Sequence, residues 1–451
     1  MKIANHNKTI NIVTLGCSKN IVDSEKLIRQ IEASGYSVTH DPAGYSSNTV
    51  IINTCGFIND AREESIDTIL SFVKACREGS IRNLYVMGCL SERYMNILRS
   101  EIPEVSKYFG VNDMKEILRE LGITKRDDLM SERKLTGPGH YAYLKVSEGC
   151  DRSCAFCAIP LIRGKYISRP VEVLLGEAEK LAGYGVKELI LIAQDLSYYG
   201  LDLYRKQELA GLISELLEIG SFEWIRLQYL YPANFPADEM ISLIRDNKRI
   251  CSYIDIPVQH ISDKMLGLMK RSHNSDETRH LLYRLRKELP DAAIRTTLIA
   301  GHPGETQKEY NELKEFISEF RFDRLGVFPY SHEEGTYAGD NYKDEIPEKI
   351  KQERVAELMA IQQSISEELN QQKRGTVLKV LIDRREGDYF VGRTEYDSPE
   401  VDNEVLISAE NDLQPGDFCD IFITGSTDFD LFGQPKAPPL EPALKTLGIR
   451  W

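Results

Sequence analysis

Glu148-Gly149-Cys150-Asp151-Arg152-Ser153-Cys154-Ala155-Phe156-Cys157 places three thiols within eight residues, at C-x3-C-x2-C spacing. One short loop with that spacing can hold three thiolates around a metal cluster while offering no fourth sulfur. Iron-sulfur clusters are normally closed by four cysteines, so a cubane held by three leaves one iron open to a reacting ligand. Two other readings compete: a zinc site, and three inert buried thiols. Structural zinc takes four ligands, usually two closely spaced cysteine pairs or a Cys/His mixture, and no second pair follows here.

Working upstream, residues 9–121 alternate short apolar runs with amphipathic stretches, the pattern of a parallel sheet flanked by helices. Strands are expected at 10–17, 49–55 and 84–89, with helices at 20–33, at 59–77 and from 91 onward. The three strands end in Leu15-Gly16-Cys17, Asn53-Thr54-Cys55 and Met87-Gly88-Cys89. In an open parallel sheet the carboxyl ends share one edge, where such folds bind ligands. Cys17, Cys55 and Cys89 are therefore expected to converge into a second three-cysteine site. Taken singly, each could equally be a small core residue.

Downstream of a polar stretch ending in Gly137-Pro138-Gly139, a strand at 141–146 delivers the cysteine loop. Further strand-then-helix units begin at 189–193, 224–229, 253–258, 293–300 and 324–328, six in all, which predicts a partial (β/α)6 barrel with its reactive groups at the strand carboxyl ends. An amphipathic helix at 347–372 reads as a packing brace. Short strands at 377–382, 389–393, 405–407 and 418–425 read as a small antiparallel β-barrel. The fold class is thus α/β multidomain: an N-terminal open parallel sheet (8–122), a linker (123–139), the central barrel (140–372), the β-barrel (373–440) and a tail (441–451).

A chain of 451 residues with 42% hydrophobic and 28% charged content reads as globular and soluble. No apolar run approaches the roughly 18–20 residues of a membrane span, and residues 1–9 lack the apolar core of a secretion signal, so a cytoplasmic location is expected. Nine cysteines suit a reducing compartment, leaving thiols free for metal. The 56 basic against 70 acidic residues give a net charge of −14, which argues against a protein that grips nucleic acid along its length.

The cysteine spacing with an aromatic before the last thiol resembles the radical S-adenosylmethionine (SAM) enzymes. With its three domains and two cysteine sets, the whole chain resembles the methylthiotransferases, which carry a TRAM β-barrel at the C-terminus. Within that family four segments resemble the branch that modifies an aspartate of small-subunit ribosomal protein twelve: Cys17-Ser18-Lys19-Asn20 with Val22-Asp23-Ser24-Glu25, Asn53 to Ile58, Gly88-Cys89-Leu90 with Arg93-Tyr94, and Phe156-Cys157-Ala158-Ile159-Pro160 with Arg163-Gly164. The tRNA-modifying branch differs at the first and last of these.

The resemblance implies a radical-SAM 4Fe-4S cluster on Cys150, Cys154 and Cys157, and a second 4Fe-4S cluster on Cys17, Cys55 and Cys89 that carries the sulfur donor. SAM would be cleaved to a 5′-deoxyadenosyl radical that takes a hydrogen atom from the aspartate β-carbon, and a low-potential donor such as flavodoxin or ferredoxin would supply electrons. Gly301-His302-Pro303-Gly304-Glu305 resembles the family's SAM segment, against the plainer reading of a strand-to-helix turn. Phe156, Gln194, Asp195, Gln259 and His260 are further candidate contacts, with His260 equally readable as a structural histidine. Arg163 and Arg169 could meet a carboxylate bidentately or form surface ion pairs. Cys76, Cys251 and Cys419 read as core.

From 374 to 440 there are six Lys or Arg against fourteen Asp or Glu, so this barrel should repel phosphate. Asp397, Glu400, Asp402 and Glu404, if exposed on one face, would attract a basic ribosomal protein, free or within a subunit. The competing functions are the same chemistry on a tRNA adenosine, for which a basic barrel is missing, and a non-catalytic iron-sulfur or zinc protein.

Overall fold

The computed structural model describes residues 9–42, 44 and 47–436; the expectations for the extreme N-terminus and for the tail at 441–451 lie outside them. The N-terminal domain is a five-stranded, all-parallel sheet in the order β2-β1-β3-β4-β5. In chain order its elements are β1 (Thr9–Thr14), α1 (Ser18–Ala33), β2 (Ser37–His40), β3 (Thr49–Thr54), α2 (Asn59–Arg77), β4 (Asn83–Gly88), α3 (Cys89–Glu101), β5 (Lys107–Tyr108) and α4 (Met114–Glu120). Helices cover both faces, so β3 is a continuous apolar run: Val50 and Ile52 join the core on one face, and Ile51 joins the core on the other.

The central domain opens with β6 (Tyr141–Lys145), followed by a two-stranded hairpin, β7 (Ser147–Glu148) and β8 (Ile167–Ser168), that brackets the cysteine loop and the short α5 (Ile159–Arg163). Then come α6 (Val171–Gly183), β9 (Glu188–Ile192), α7 (Leu209–Glu218), β10 (Trp224–Leu227), α8 (Ala237–Asp246), β11 (Tyr253–Asp255), α9 (Asp263–Leu268), α10 (Ser275–Glu288), β12 (Ala293–Ala300), α11 (Gln307–Phe320), β13 (Arg324–Pro329), α12 (Tyr337–Asn341) and α13 (Glu348–Gln372). Two parallel sheets, β6-β9-β10 and β11-β12-β13, are joined where the Leu230 N–H donates to the Asp255 carbonyl at 2.9 Å, giving the expected six-stranded open barrel. Its core runs between strands and outer helices through Leu189, Leu191, Leu212, Leu216, Ile254 and Leu282.

Four expectations change. The stretch expected as a linker is pinned: Arg133 is 2% exposed and its guanidinium pairs with Glu25 of α1 at 2.9 Å and Glu177 of α6 at 3.3 Å. Helix α13 does act as a brace, but its buried stripe is mostly polar, with Lys351, Arg354, Gln362 and Asn370 each donating inward. The C-terminal barrel has five strands, β14 (Val377–Glu386), β15 (Tyr389–Thr394), β16 (Val405–Ser408), β17 (Phe418–Ser426) and β18 (Leu431–Pro435), closed in the order β14-β15-β16-β18-β17. The unforeseen β18 pairs parallel to β16, so the barrel is not wholly antiparallel.

The fourth change concerns the acidic run. The loop joining β15 to β16 plugs the amino-terminal end of the central barrel. Asp397 is 1% exposed and takes Arg324 of β13 at 2.5 Å, and Asp402 takes Arg295 of β12 at 3.2 Å together with the Tyr253 hydroxyl at 2.7 Å. Glu404 pairs with Arg384 at 2.7 Å. Of the four acids only Glu400 stays exposed and outside these pairs. Strand arginines inside an apolar barrel need carboxylates, because an unpaired buried charge is strongly destabilising. Asp397 and Asp402 therefore seal the junction of two domains, so the four acids do not share one exposed face.

Candidate functional site

Cys150 follows β7, and its N–H donates to the Gly164 carbonyl at 3.1 Å, closing the hairpin across the loop. Gly149 has φ +72, and a Cβ there would overlap the Lys165 carbonyl, so only glycine fits. Donors point at the sulfurs: the Arg152 N–H reaches Cys150 Sγ at 3.4 Å, and Arg271 Nη1 reaches Cys154 Sγ at 3.4 Å. The Arg271 guanidinium stacks on Tyr231 (4.0 Å to the ring centre), and Arg152 stacks there too (4.1 Å). Burial pushes the Cys150 thiol up to about 11 and the Cys157 thiol up to about 12, so metal binding would release their protons.

The second set converges as the topology requires. Gly16 (φ +89) lies so close to Cys55 that an added Cβ would stand 2.6 Å from the Cys55 Cβ. Cys89 opens α3, and its thiol faces Asn20 Oδ1 at 3.8 Å. The Asn20 amide also donates to the Leu15 carbonyl at 2.8 Å and the Thr54 carbonyl at 3.2 Å, tying the three loops together. Burial raises Cys55 and lifts Cys89 to about 12. Among the described residues no three His, Cys, Asp or Glu side chains close up as ligands of a single ion. Three thiols with N–H donors aimed at sulfur fit a 4Fe-4S group at the loop, and the three-loop site offers the same donor set.

The two sites are neighbours. Cys89 packs against Ala158 and Ile162, just beyond Cys157. A cleft of about 270 Å³ is lined from both domains, by Phe57 and Ile58 beyond Cys55, Phe156 and Ala158 beside Cys157, and Gln259, Thr297, Ile299 and Tyr330 from the barrel. Arg62 and Arg93 of the N-terminal domain both grip Glu333 at its rim. Thr297, Ile299 and Tyr330 carry no sequence motif. They become legible only as residues in or just after β12 and β13.

Of the candidate SAM contacts, Phe156 and Gln259 face this cleft. Gln194 is half-buried with its Oε1 unpartnered, and Asp195 is bound to Arg152 at 2.7 Å beside the cysteine loop. The others have internal work. His260 is fully buried; its Nδ1 accepts from the Ile261 and Ser262 N–H groups, leaving Nε2 facing Glu305 at 3.5 Å. Glu305 also takes Arg354 at 2.6 Å and the Gly301 N–H at 3.1 Å. A Cβ on Gly301 would meet Lys351, and one on Gly304 would meet Leu268, so these glycines make room for protein atoms. Gly301, Gly304 and Glu305 lie in the turn from β12 to α11, and His260 lies in the separate turn from β11 to α9. Arg163 and Arg169 are interior ion-pair residues, Arg169 holding Glu177 at 2.6 Å. Cys251 is buried, and Cys76 and Cys419 are half-buried against apolar neighbours.

Comparison with known proteins agrees with this layout. Residues 144–317 match the Radical SAM superfamily, 9–110 the uncharacterized protein family UPF0004, and 375–435 the TRAM domain. A protein of Bacteroides fragilis named ribosomal protein uS12 methylthiotransferase RimO is 54% identical over 95% of this chain and 99% of its own length. One of the same name from Christiangramia forsetii is 53% identical over 98% and 97%. Among solved structures, the radical SAM methyltransferase TsrM of Kitasatospora setae superposes with a TM-score of 0.52 at 15% identity, covering 74% of each chain. At that identity the likeness shows the fold alone.

Proposed function

We propose that this chain, which belongs to the RimO family of ribosomal protein uS12 methylthiotransferases, inserts a methylthio group at the β-carbon of an aspartate of uS12, using two 4Fe-4S clusters. It is a radical SAM enzyme. Cys150, Cys154 and Cys157 would hold the cluster that binds SAM, and Cys17, Cys55 and Cys89 the cluster that carries the sulfur to be transferred. When bound, these groups supply one-electron cleavage of SAM and a radical strong enough to take hydrogen from an unactivated carbon.

The observation that carries this reading is the cleft lined by chain neighbours of both cysteine sets. A target side chain entering past Phe57 and Ile58 would meet Phe156 on one wall and the end of β12 on the other, beside chain neighbours of Cys55 and Cys157. Phe156 and Gln259 orient SAM there, while the apolar lining excludes water from a reactive radical. The Arg62 and Arg93 grip on Glu333 keeps the N-terminal domain over the barrel mouth.

A protein target fits the charge. The C-terminal barrel carries an acidic excess, fourteen Asp or Glu against six Lys or Arg, and its Arg393 is held by Glu188 and Asp383, a balance that disfavours an RNA backbone. Electrons would come from a flavodoxin or ferredoxin. The test is mass spectrometry of small-subunit ribosomal proteins from cells with and without this gene. Loss of a methylthio mass from one aspartate-containing uS12 peptide is expected. An unchanged uS12, with a tRNA nucleoside altered instead, overturns the assignment.

A further inference from the structure

Arg163 ends α5, six residues past Cys157, yet its guanidinium lies in the N-terminal domain's cysteine site. Its side chain is 1% exposed. Nη2 donates to Asn20 Oδ1 at 2.6 Å, while Nη1 donates to Asp23 Oδ2 at 3.1 Å and Glu148 Oε1 at 2.8 Å. Asn20 Oδ1 is the atom that faces the Cys89 thiol, and the same amide holds the loops of Cys17 and Cys55 through Leu15 and Thr54. Glu148 in turn opens the Cys150 loop. One planar fork therefore touches the frame of both sites: Glu148 on the radical-loop side, Asn20 and Asp23 on the three-loop side.

The charges around it close on themselves. Lys145 bridges the same two carboxylates, Asp23 and Glu148, so two cations and two carboxylates form a compact neutral set where α1 meets the barrel. A lysine could not replace the arginine here, because an ammonium is a point donor, whereas three acceptors in different directions need a fixed fork. Residues just behind metal ligands orient them and are as consequential as the ligands.

We propose that Arg163 is a positioning residue that sets the separation between the two cluster sites, and so couples radical formation at one to sulfur delivery from the other. This rests on the two-cluster reading above. If the separation is free to drift, the radical forms but the sulfur is not within reach when it does, and SAM is consumed without product.

The experiment compares wild type, Arg163→Lys and Arg163→Gln, each reconstituted with iron and sulfide. Two readouts are taken: the magnetic interaction between the two reduced clusters, by power-saturation electron paramagnetic resonance (EPR), and the ratio of 5′-deoxyadenosine formed to methylthio product. In both variants the magnetic interaction, which depends steeply on distance, is expected to change, and the ratio is expected to rise several-fold. Both clusters present with interaction and ratio as in wild type overturns the proposal. Wild type binding a single cluster defeats instead the two-cluster reading, and does so before any variant is made. Should Arg163→Gln fail to fold, Asp23→Ala removes one of the three acceptors and leaves Arg163 in place. The same changes, smaller in size, are expected there, and their absence overturns the proposal equally.

Discussion

The two cysteine sites reach the same donor set by opposite constructions. Cys150, Cys154 and Cys157 lie on one loop clamped by a two-pair hairpin, so backbone bonds such as Cys150 N–H to Gly164 fix their geometry. Cys17, Cys55 and Cys89 arrive on three loops whose common frame is the strand order β1-β3-β4 and side-chain bonds between loops, the amide of Asn20 foremost. A local site needs little besides its own backbone. An assembled site depends on the whole sheet, and on whatever carries its position to the other site.

Replacing one ligand on each side gives the largest expected contrast. Cys150→Ala should abolish SAM cleavage, because the iron that SAM must reach loses its anchor. Cys17→Ala should leave cleavage in place and stop methylthio transfer. Chromatography of 5′-deoxyadenosine beside peptide mass spectrometry reads both. If both variants cleave SAM normally, the division of labour between the sites is wrong.

Backbone substitutions sharpen the contrast one step down. Gly149 (φ +72) and Gly88 (φ +100) each hold a loop where a Cβ would overlap backbone: the Lys165 carbonyl in the first case, Thr54 in the second. Strain at a left-handed non-glycine and overpacking together amount to about 2–6 kcal/mol. Gly149→Ala should lose iron from the radical loop alone, and Gly88→Ala from the assembled site alone, as read by iron content and EPR. Loss from both sites in either variant would mean that the two are one folding unit.

What the sequence disclosed follows the same divide. The radical loop is a contiguous motif and was legible outright; the assembled site was legible because three cysteines share one topological position at strand ends. Asn20 and Arg163, which hold the frame together, stood out in the sequence, but their pairing did not, because 143 residues separate them. The acidic run at Asp397 to Glu404 read as surface because charge runs usually are. The signal against that reading was Arg295 and Arg324, two arginines inside barrel strands that demand partners. Strand β18 escaped notice because Leu431–Pro435 is short and carries a glycine and a closing proline. In the turn from Gly301 to Glu305 the two glycines lie against the Lys351 and Leu268 side chains, contacts that no spacing in the sequence announces.

The smallest expected effect is a pH dependence that belongs to the local site only. His302 is fully buried, its ring edge-on to Phe156, Tyr330 and Tyr342. Its Nδ1–H donates to the Pro303 carbonyl at 3.0 Å, and Nε2 has no partner, so a second proton would sit among aromatic rings. Burial accordingly lowers its pKa from 6.5 to about 4. The unfolded chain binds a proton below pH 6.5 that the folded chain refuses until about pH 4, so stability falls as pH drops through that window and levels off beneath it. Between pH 7 and pH 5 the loss is about 2 kcal/mol. Urea midpoints of wild type and His302→Asn at the two pH values measure it, and the variant should show a shallower pH slope whatever its absolute stability. Since Phe156 lies between Cys154 and Cys157, the acid sensitivity should appear at the radical loop. An equal slope in the variant would place the titration elsewhere and remove this distinction between the two sites.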